Sequence, residues 1–288
     1  MWITTKTKLT AHEKKQVQTL IHRVHQVDRT FKAPYLSNQY NYFPGMPTFI
    51  LVYDSAAQLA GFTMIYADEA PQDGIVDLIV TVLPAQRHQG IGRMMLNRAQ
   101  SILDAFGYKQ INYLTERVFL DANPNLLQKL NMRVADSEYQ MAMGQLAEPS
   151  TKRAATVRLM EAADIMPLVP IFSSAFDDIS DEAAERYLTE SLQDASIASY
   201  VLTVENTPIG YCAIDLSDYA YIFSVFIDDR YRSQGYGQYL LTYAINHLQT
   251  QGWKRIVLGV EGTNVAAKRL YNRIGFQDET EIVSLQQK

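Results

Sequence analysis

A repeat at a fixed offset constrains this chain more than any other feature. Arg87 and Arg232, Gly90 and Gly235, Gly107 and Gly252, and Lys109 and Lys254 each stand 145 positions apart. The same offset relates Leu96 to Leu241, Ala99 to Ala244 and Leu103 to Leu248, so the copies share an apolar helix face as well as loop glycines. A duplicated unit must bury its own core, and 288 residues leave two copies near the commonest domain size, ~140 residues each. Upstream, Gly61 and Gly210 are 149 apart, because the polar insert at 68–74 is longer in the first copy. Residues 144–155, with Glu148-Pro149-Ser150-Thr151-Lys152, have linker composition and put the boundary between 147 and 148. The expectation is an N-terminal domain over 1–147 and a C-terminal domain over 148–288.

Each copy reads as strands and helices in one order. The first opens with a capping box, Thr10 to Glu13, before a helix bearing Val17, Leu20, Ile21, Val24 and Val27. Strand-like runs follow at 48–53, 59–67 and 75–83, then a helix carrying Met95, Leu96, Ala99, Ile102, Leu103 and Phe106. The second copy gives a strand at 156–160, helices at 162–176 and 182–192, strands at 198–204, 209–216 and 221–227, a helix, a strand at 255–260, another helix, and a short last strand near 282–285. This alternation predicts an α/β fold in which a mixed sheet is covered by helices, once per copy.

In both copies the strand before the long helix runs into a glycine turn that feeds it: Arg87-His88-Gln89-Gly90-Ile91-Gly92 and Arg232-Ser233-Gln234-Gly235-Tyr236-Gly237. Such a turn aims several backbone N–H groups and the positive end of the helix dipole at one point, which suits a phosphate. The missing Cβ allows close approach. The spacing is neither that of a P-loop, which ends in Lys-Ser/Thr, nor that of the dinucleotide fingerprint with its third glycine. The second copy adds a further pattern after its strand at 255–260, Asn264-Val265-Ala266-Ala267-Lys268-Arg269-Leu270-Tyr271-Asn272-Arg273-Ile274-Gly275-Phe276.

On these two motifs the chain resembles the GNAT superfamily of N-acetyltransferases, and its duplication is similar to the tandem architecture of the mycothiol synthases, in which one half does the chemistry. The resemblance implies two tandem GNAT-like domains, each a mixed, mostly antiparallel sheet flanked by helices. It implies acetyl-CoA as donor, with the pyrophosphate on Arg232, Ser233, Gln234, Gly235, Tyr236 and Gly237, pantetheine along Val225, Phe226 and Ile227, and Asn264 beside the cofactor. The matching positions of the first copy are Val82, Arg87, His88, Gln89, Gly90, Ile91 and Gly92. Tyr271 aligns with the tyrosine that protonates the departing thiolate, and a phenol near pKa 10 is within reach of a thiol near 8.5. Where many members carry a glutamate on the preceding strand this chain has Gly259. Glu261, two residues on and on the same strand face, is the expected base, with Asp215 and Asp218 as rivals. Against Tyr271 the first copy has Leu126 or Leu127, and against Asn264 it has Phe119 or Leu120, so its second motif is lost. Its glycine loop either binds coenzyme or serves only as a turn.

The functional expectation is acetyl transfer to a primary amine of a small molecule or peptide, with the chemistry in the C-terminal domain. The alternative is a non-enzymatic acyl-CoA sensor or scaffold. A third reading, an aminoacyltransferase using aminoacyl-tRNA, is disfavoured by two intact coenzyme-type loops and by the lack of a long helical arm. The net charge of −5 argues against a nucleic-acid partner, and no run approaches eighteen uncharged apolar residues, so a cytoplasmic protein without a membrane span is expected. Cys212 lies in an apolar run and reads as a buried small hydrophobe. His22 and His25 share a helix face with no acidic or cysteine partner nearby and read as solvated; no metal site is expected.

Overall fold

The computed structural model describes residues 1–72, 74–145, 155–176, 179–217 and 219–288. It divides into two compact units: unit one is Met1–Glu138 with Thr280–Lys288, and unit two is Tyr139–Glu279. The expected boundary between 147 and 148 lies outside the described residues. No helix among the described residues is long and apolar enough to cross a membrane.

Unit one contains β1 (Trp2–Lys6), α1 (Ala11–Asp28), β2 (Phe49–Tyr53), β3 (Leu59–Tyr66), β4 (Ile75–Val82), α2 (Ile91–Phe106), β5 (Gln110–Glu116), α3 (Arg117–Ala122), α4 (Leu126–Leu130) and the first part of β6 (Met132–Met143). The expected capping box forms: Thr10 accepts from the Glu13 amide, and the Glu13 carboxylate returns to the Thr10 amide. Strands β1 to β4 are antiparallel neighbours, while β4 and β5 run parallel because α2 carries the chain back between them. All of β2 is buried, since the sheet is covered on both faces. Ile50 and Val52 join Met95, Ala99 and Leu103 of α2, whereas Phe49 and Leu51 join Val17, Leu20 and Val24 of α1. Residues 282–285 of β12 (Phe276–Gln287) pair antiparallel with 113–116 of β5.

Unit two contains β7 (Ala155–Leu159), α5 (Ile165–Ala175), α6 (Asp181–Gln193), β8 (Ile197–Val204), β9 (Thr207–Asp215), β10 (Ala220–Ile227), α7 (Tyr236–Thr250), β11 (Ile256–Glu261), α8 (Val265–Ile274) and the start of β12. Strands β7 to β10 are antiparallel and β10–β11 is parallel around α7, which repeats the plan of unit one. Leu240, Leu241, Ala244, Ile245 and Leu248 of α7 pack on Leu202, Cys212, Ile222 and Leu258. On the other face, Leu168 and Phe172 of α5 and Leu188 of α6 pack on Val201, Tyr211 and Phe226. Gly61 and Gly210 have the same task in the two units. A Cβ on Gly61 would stand 2.8 Å from Ile91 Cγ2, and one on Gly210 would run into Ile227 Cδ1, so only glycine fits beneath the turn.

Five elements of unit one were not read from the sequence pattern: β1, β5, α3, α4 and β6. The last strand was expected to be short, yet β12 is 12 residues long. Its polar start, Gln277-Asp278-Glu279, hides it, and those charges are used: Glu279 pairs with Arg255 and Asp278 with Lys268, each at 2.8 Å.

Candidate active site

The parallel pairing of β10 with β11 stops early in unit two. It runs from Ala220↔Ile256 to Ile222↔Leu258, after which β10 continues to Ile227 and β11 to Glu261 without pairing to each other. On its other side β10 carries a bulge, where the register to β9 shifts between Phe223 and Phe226. Ser224, within that bulge, has φ +49°, an uncommon state for a residue with a side chain. Its hydroxyl donates to the Tyr187 hydroxyl of α6 at 3.3 Å. The Tyr187 ring lies 5.4 Å from that of Phe172 and 6.4 Å from that of Phe223. The two strands thus part beyond Ile222 and Leu258, with the bulge at the point of parting and the half-buried Tyr187 ring of α6 beside it. Of the strand-end residues, Phe226 faces the α5–α6 core, while Ile227 and the half-buried Val225 pack on the α7 core.

At the end of β10 the chain makes a short 3-10 turn, Asp229–Tyr231, and reaches the glycine loop. Asp228 accepts from the Arg230 amide at 3.0 Å and pairs with its guanidinium at 2.6 Å, which holds the Asp228 carboxyl below its ordinary value. Arg232 is tied into the loop: its Nε donates to the Ile227 carbonyl at 3.0 Å and its guanidinium meets Asp229 at 2.8 Å. Ser233 and Gly235 both take positive φ, +59° and +84°, so the chain coils tightly ahead of α7. Gly235 is the N-cap of α7 and brings no side-chain acceptor, whereas α1, α6 and α8 are capped by Thr10, Ser180 and Asn264. No cap side chain covers the positive end of this 15-residue helix, which fits an anionic group such as a pyrophosphate. A Cβ on Gly237 would come within 3.1 Å of Leu270 Cδ2, so this glycine lets α8 approach α7.

Helix α8 begins at Asn264, whose Oδ1 accepts from the Ala267 amide at 3.0 Å. Tyr271, two turns on, is 7% exposed, with its ring edge-on to Phe276 at 6.1 Å. Its hydroxyl has no hydrogen-bond partner among the described residues and is not sealed from solvent. Burial pushes its pKa up to about 12. The value near 10 expected from sequence was that of a solvated phenol, so burial is the correction. Glu261 is exposed at the end of β11, and its carboxylate makes no ion pair or hydrogen bond with a described residue. Of the rivals, Asp215 accepts from the Ser217 amide at 2.8 Å as a turn residue, and Asp218 lies outside the described residues.

Unit one keeps the loop and changes what surrounds it. His88 and Gly90 take positive φ, +62° and +82°, Gly90 caps α2 without a side-chain acceptor, and Arg87 Nε donates to the Val82 carbonyl at 3.2 Å. Gln89 reaches back to the Ala85 carbonyl, Ile91 is buried, and a Cβ on Gly92 would only touch Val82 at 3.9 Å. Strand β4 has no bulge: its register to β3 is unbroken from Gly61↔Val82 to Tyr66↔Asp77. The Arg87 guanidinium turns to Asp28, the last residue of α1, and its Cζ stands 5.5 Å from the centre of the Phe119 ring. Glu116, the repeat counterpart of Glu261, is buried and accepts from the amides of Phe31 and Lys32 at 2.9 Å and from Thr280 Oγ1 at 2.6 Å. Leu126 and Leu127 pack against Leu120, Met132, Val283 and Leu285. A cavity of about 240 Å³ remains, bordered by Val24, Asp28, Val82, Arg87, Leu114 and Phe119.

Sequence reasoning missed Ser224, Asp28 and the Arg87–Phe119 contact. Ser224 had a signal, since it is the one polar residue in the run Tyr221 to Ile227. Asp28 had none, because its partner lies 59 positions away.

Each unit sets a glycine-capped helix between two parallel strands that part beyond their paired stretch, so the second copy repeats the first. The model of the acetyltransferase (GNAT) family matches residues 15–132 and 165–276, and the chain belongs to that family. It is an acetyltransferase of tandem architecture. It is 24% identical over 259 residues to a mycothiol acetyltransferase of Renibacterium salmoninarum, covering 82% of this chain and 72% of that protein. A [Ribosomal protein bS18]-alanine N-acetyltransferase of Haemophilus ducreyi is 38% identical over 65 residues, 23% of this chain; the chain spans 45% of that enzyme's length. Among solved structures, a tandem GNAT protein from the clavulanic acid biosynthesis pathway superposes with TM-score 0.71 at 11% identity, covering 99% of this chain and 98% of that one. A GCN5-related N-acetyltransferase from Sphaerobacter thermophilus gives 0.72 at 14% identity, over 99% and 95%. Members of the family use acetyl-CoA as acyl donor and amines of small molecules or proteins as acceptors.

Proposed function

We propose that the chain transfers the acetyl group of acetyl-CoA to a primary amine by direct attack, and that unit two carries the chemistry. The observation that supports this placement is the bulge at Ser224 beside the open β10–β11 cleft; β4 of unit one has no bulge. A bulge turns backbone N–H groups out of the ladder, where they are available to a carbonyl oxygen that gains charge in the transition state.

The thioester supplies an activated acyl group and a thiolate leaving group. The loop amides from Ser233 to Gly237 and the N-terminus of α7 hold the pyrophosphate, Arg232 keeps that loop in shape, and Val225 to Ile227 offer backbone groups to pantetheine. Asn264 acts through α8: by capping it, it orients Tyr271. Glu261 takes a proton from the incoming ammonium, directly or through water, so that the neutral amine attacks. As the C–N bond forms and the C–S bond breaks, the Tyr271 hydroxyl would give its proton to the sulfur, and the proton lost from the acylated nitrogen would restore the phenol through solvent. Against a free thiol near 8.5, a phenol at about 12 makes that transfer about 5 kcal/mol uphill. A thiolate expelled into the same apolar surroundings is itself raised, which narrows the gap.

A small-molecule acceptor is favoured over a protein N-terminus, because the mycothiol acetyltransferases match along most of the chain and the ribosomal-protein enzymes along 23–33% of it. The half-buried rings of Phe176, Tyr187 and Phe223 suit an acceptor with an apolar face. The test is release of free thiol from acetyl-CoA in the presence of a panel of amines. Amine-dependent release supports the enzyme reading; tight coenzyme binding with no release across the panel would support the sensor.

A further inference from the structure

In unit two Arg232 finds its carboxylate locally, at Asp229 on the exposed rim, where the two side chains are 49% and 60% exposed. The position that corresponds to Asp229 in unit one is Pro84, which has nothing to offer a guanidinium. Arg87 instead reaches Asp28 through two charge-assisted bonds, at 2.8 and 2.5 Å, with the Asp28 side chain only 9% exposed. Phe119, standing where unit two has Asn264, lies against the same guanidinium. The pair and the ring thus tie the end of α1, the β4–α2 turn and α3 together. They do so where β4 and β5 cease to pair, beyond Leu78↔Tyr113. Next to this tie, Glu116 binds the Phe31 and Lys32 amides and so draws the segment after α1 over the end of β5. The space left, about 240 Å³, is below the ~300 Å³ at which drug-sized ligand sites begin.

From this we infer that Asp28, Arg87 and Phe119 form a latch that closes unit one to coenzyme A, so that the chain holds one coenzyme although it carries two intact glycine loops. The latch acts by blocking passage of pantetheine between the strands, not by spoiling the loop, whose backbone matches that of unit two. The inference goes beyond the proposed function and can fail without it. Hydrogen exchange of the full chain with and without coenzyme A tests it directly. Added coenzyme A protects the amides of 233–237 and leaves those of 88–92 exchanging at their former rate. Protection of both loops overturns the latch and leaves the role of unit two standing, whereas protection of 88–92 alone overturns both. Calorimetric titration with coenzyme A supplies the second arm. In the variant Asp28→Ala/Phe119→Asn, which removes the carboxylate and restores the residue type of unit two, the stoichiometry doubles from one to two. A folded variant that still binds one coenzyme A overturns the latch.

Discussion

Replacing Tyr271 by phenylalanine separates packing from chemistry unusually well in this fold. The ring is buried against Phe276, but the hydroxyl has no partner among the described residues, so its removal leaves no donor or acceptor orphaned. Stability is therefore expected to change by less than about 1 kcal/mol, in contrast to the 1–3 kcal/mol typical when a buried partner is stranded. Coenzyme affinity stays within a few-fold, because the loop 233–237 is untouched. Turnover falls ~10²-fold or more, or at least about 3 kcal/mol of barrier, if the phenol protonates the thiolate. The assay is steady-state thiol release beside calorimetric coenzyme affinity and urea denaturation. The pH dependence adds an independent sign. An acid works while protonated, and burial moves this phenol up from 10 to about 12, so the unliganded enzyme loses it only as pH approaches 12. Unchanged kcat in a folded Tyr271→Phe enzyme refutes the acid role; a loss of stability above 2 kcal/mol refutes the reading of the hydroxyl as unpartnered.

Glu261→Gln is expected to remove the acidic limb of the pH–rate profile, since a base must be deprotonated to act, while Asp215→Asn keeps it; the reverse result transfers the role to Asp215. Ser224→Val puts a β-branched residue at φ +49° and should cost about 1–2 kcal/mol in urea denaturation along with at least ~10-fold in kcat, and full activity would show that the bulge is not used. Glu116→Ala in unit one strands the Phe31 and Lys32 amides and Thr280, so it should cost about 2–3 kcal/mol of stability with kcat of the folded enzyme unchanged. A variant as stable as the parent would show that these hydrogen bonds carry no net stability.

Much of this arrangement is legible in residue order because it is local. The Arg-x-x-Gly-x-Gly turns set strand, loop and helix within a dozen positions, and the 145-residue offset identifies the second copy without any structure. The capping box at Thr10 and the cap at Asn264 are of the same kind. What escaped is what the chain brings together from afar. Arg87 reads as a phosphate ligand until Asp28 is seen to hold it, and Glu116 and Glu261 look equivalent until one is found saturated by backbone amides and the other exposed. The Tyr271 pKa could not be read either, because desolvation depends on the core around the ring rather than on its neighbours in sequence. Strand β1 and the start of β12 escaped because their polar residues break the alternation that marks a strand, although pairing with β2 secures the first and the ion pairs of Asp278 and Glu279 fix the second.

The two glycine loops are alike in backbone, and in the function proposed above only the second is used. Gly90 and Gly235 take nearly the same backbone conformation, φ +82° and +84°, and each caps the helix that follows. A glutamate at either position therefore brings a similar strain and places a carboxylate at the same helix terminus, so folding costs cancel in the comparison. Acetyl transfer to the best acceptor, followed by mass spectrometry, is to be measured for Gly90→Glu and Gly235→Glu side by side. Turnover near the parental rate is expected for Gly90→Glu and none for Gly235→Glu; transfer that survives Gly235→Glu and is lost in Gly90→Glu would place the chemistry in unit one.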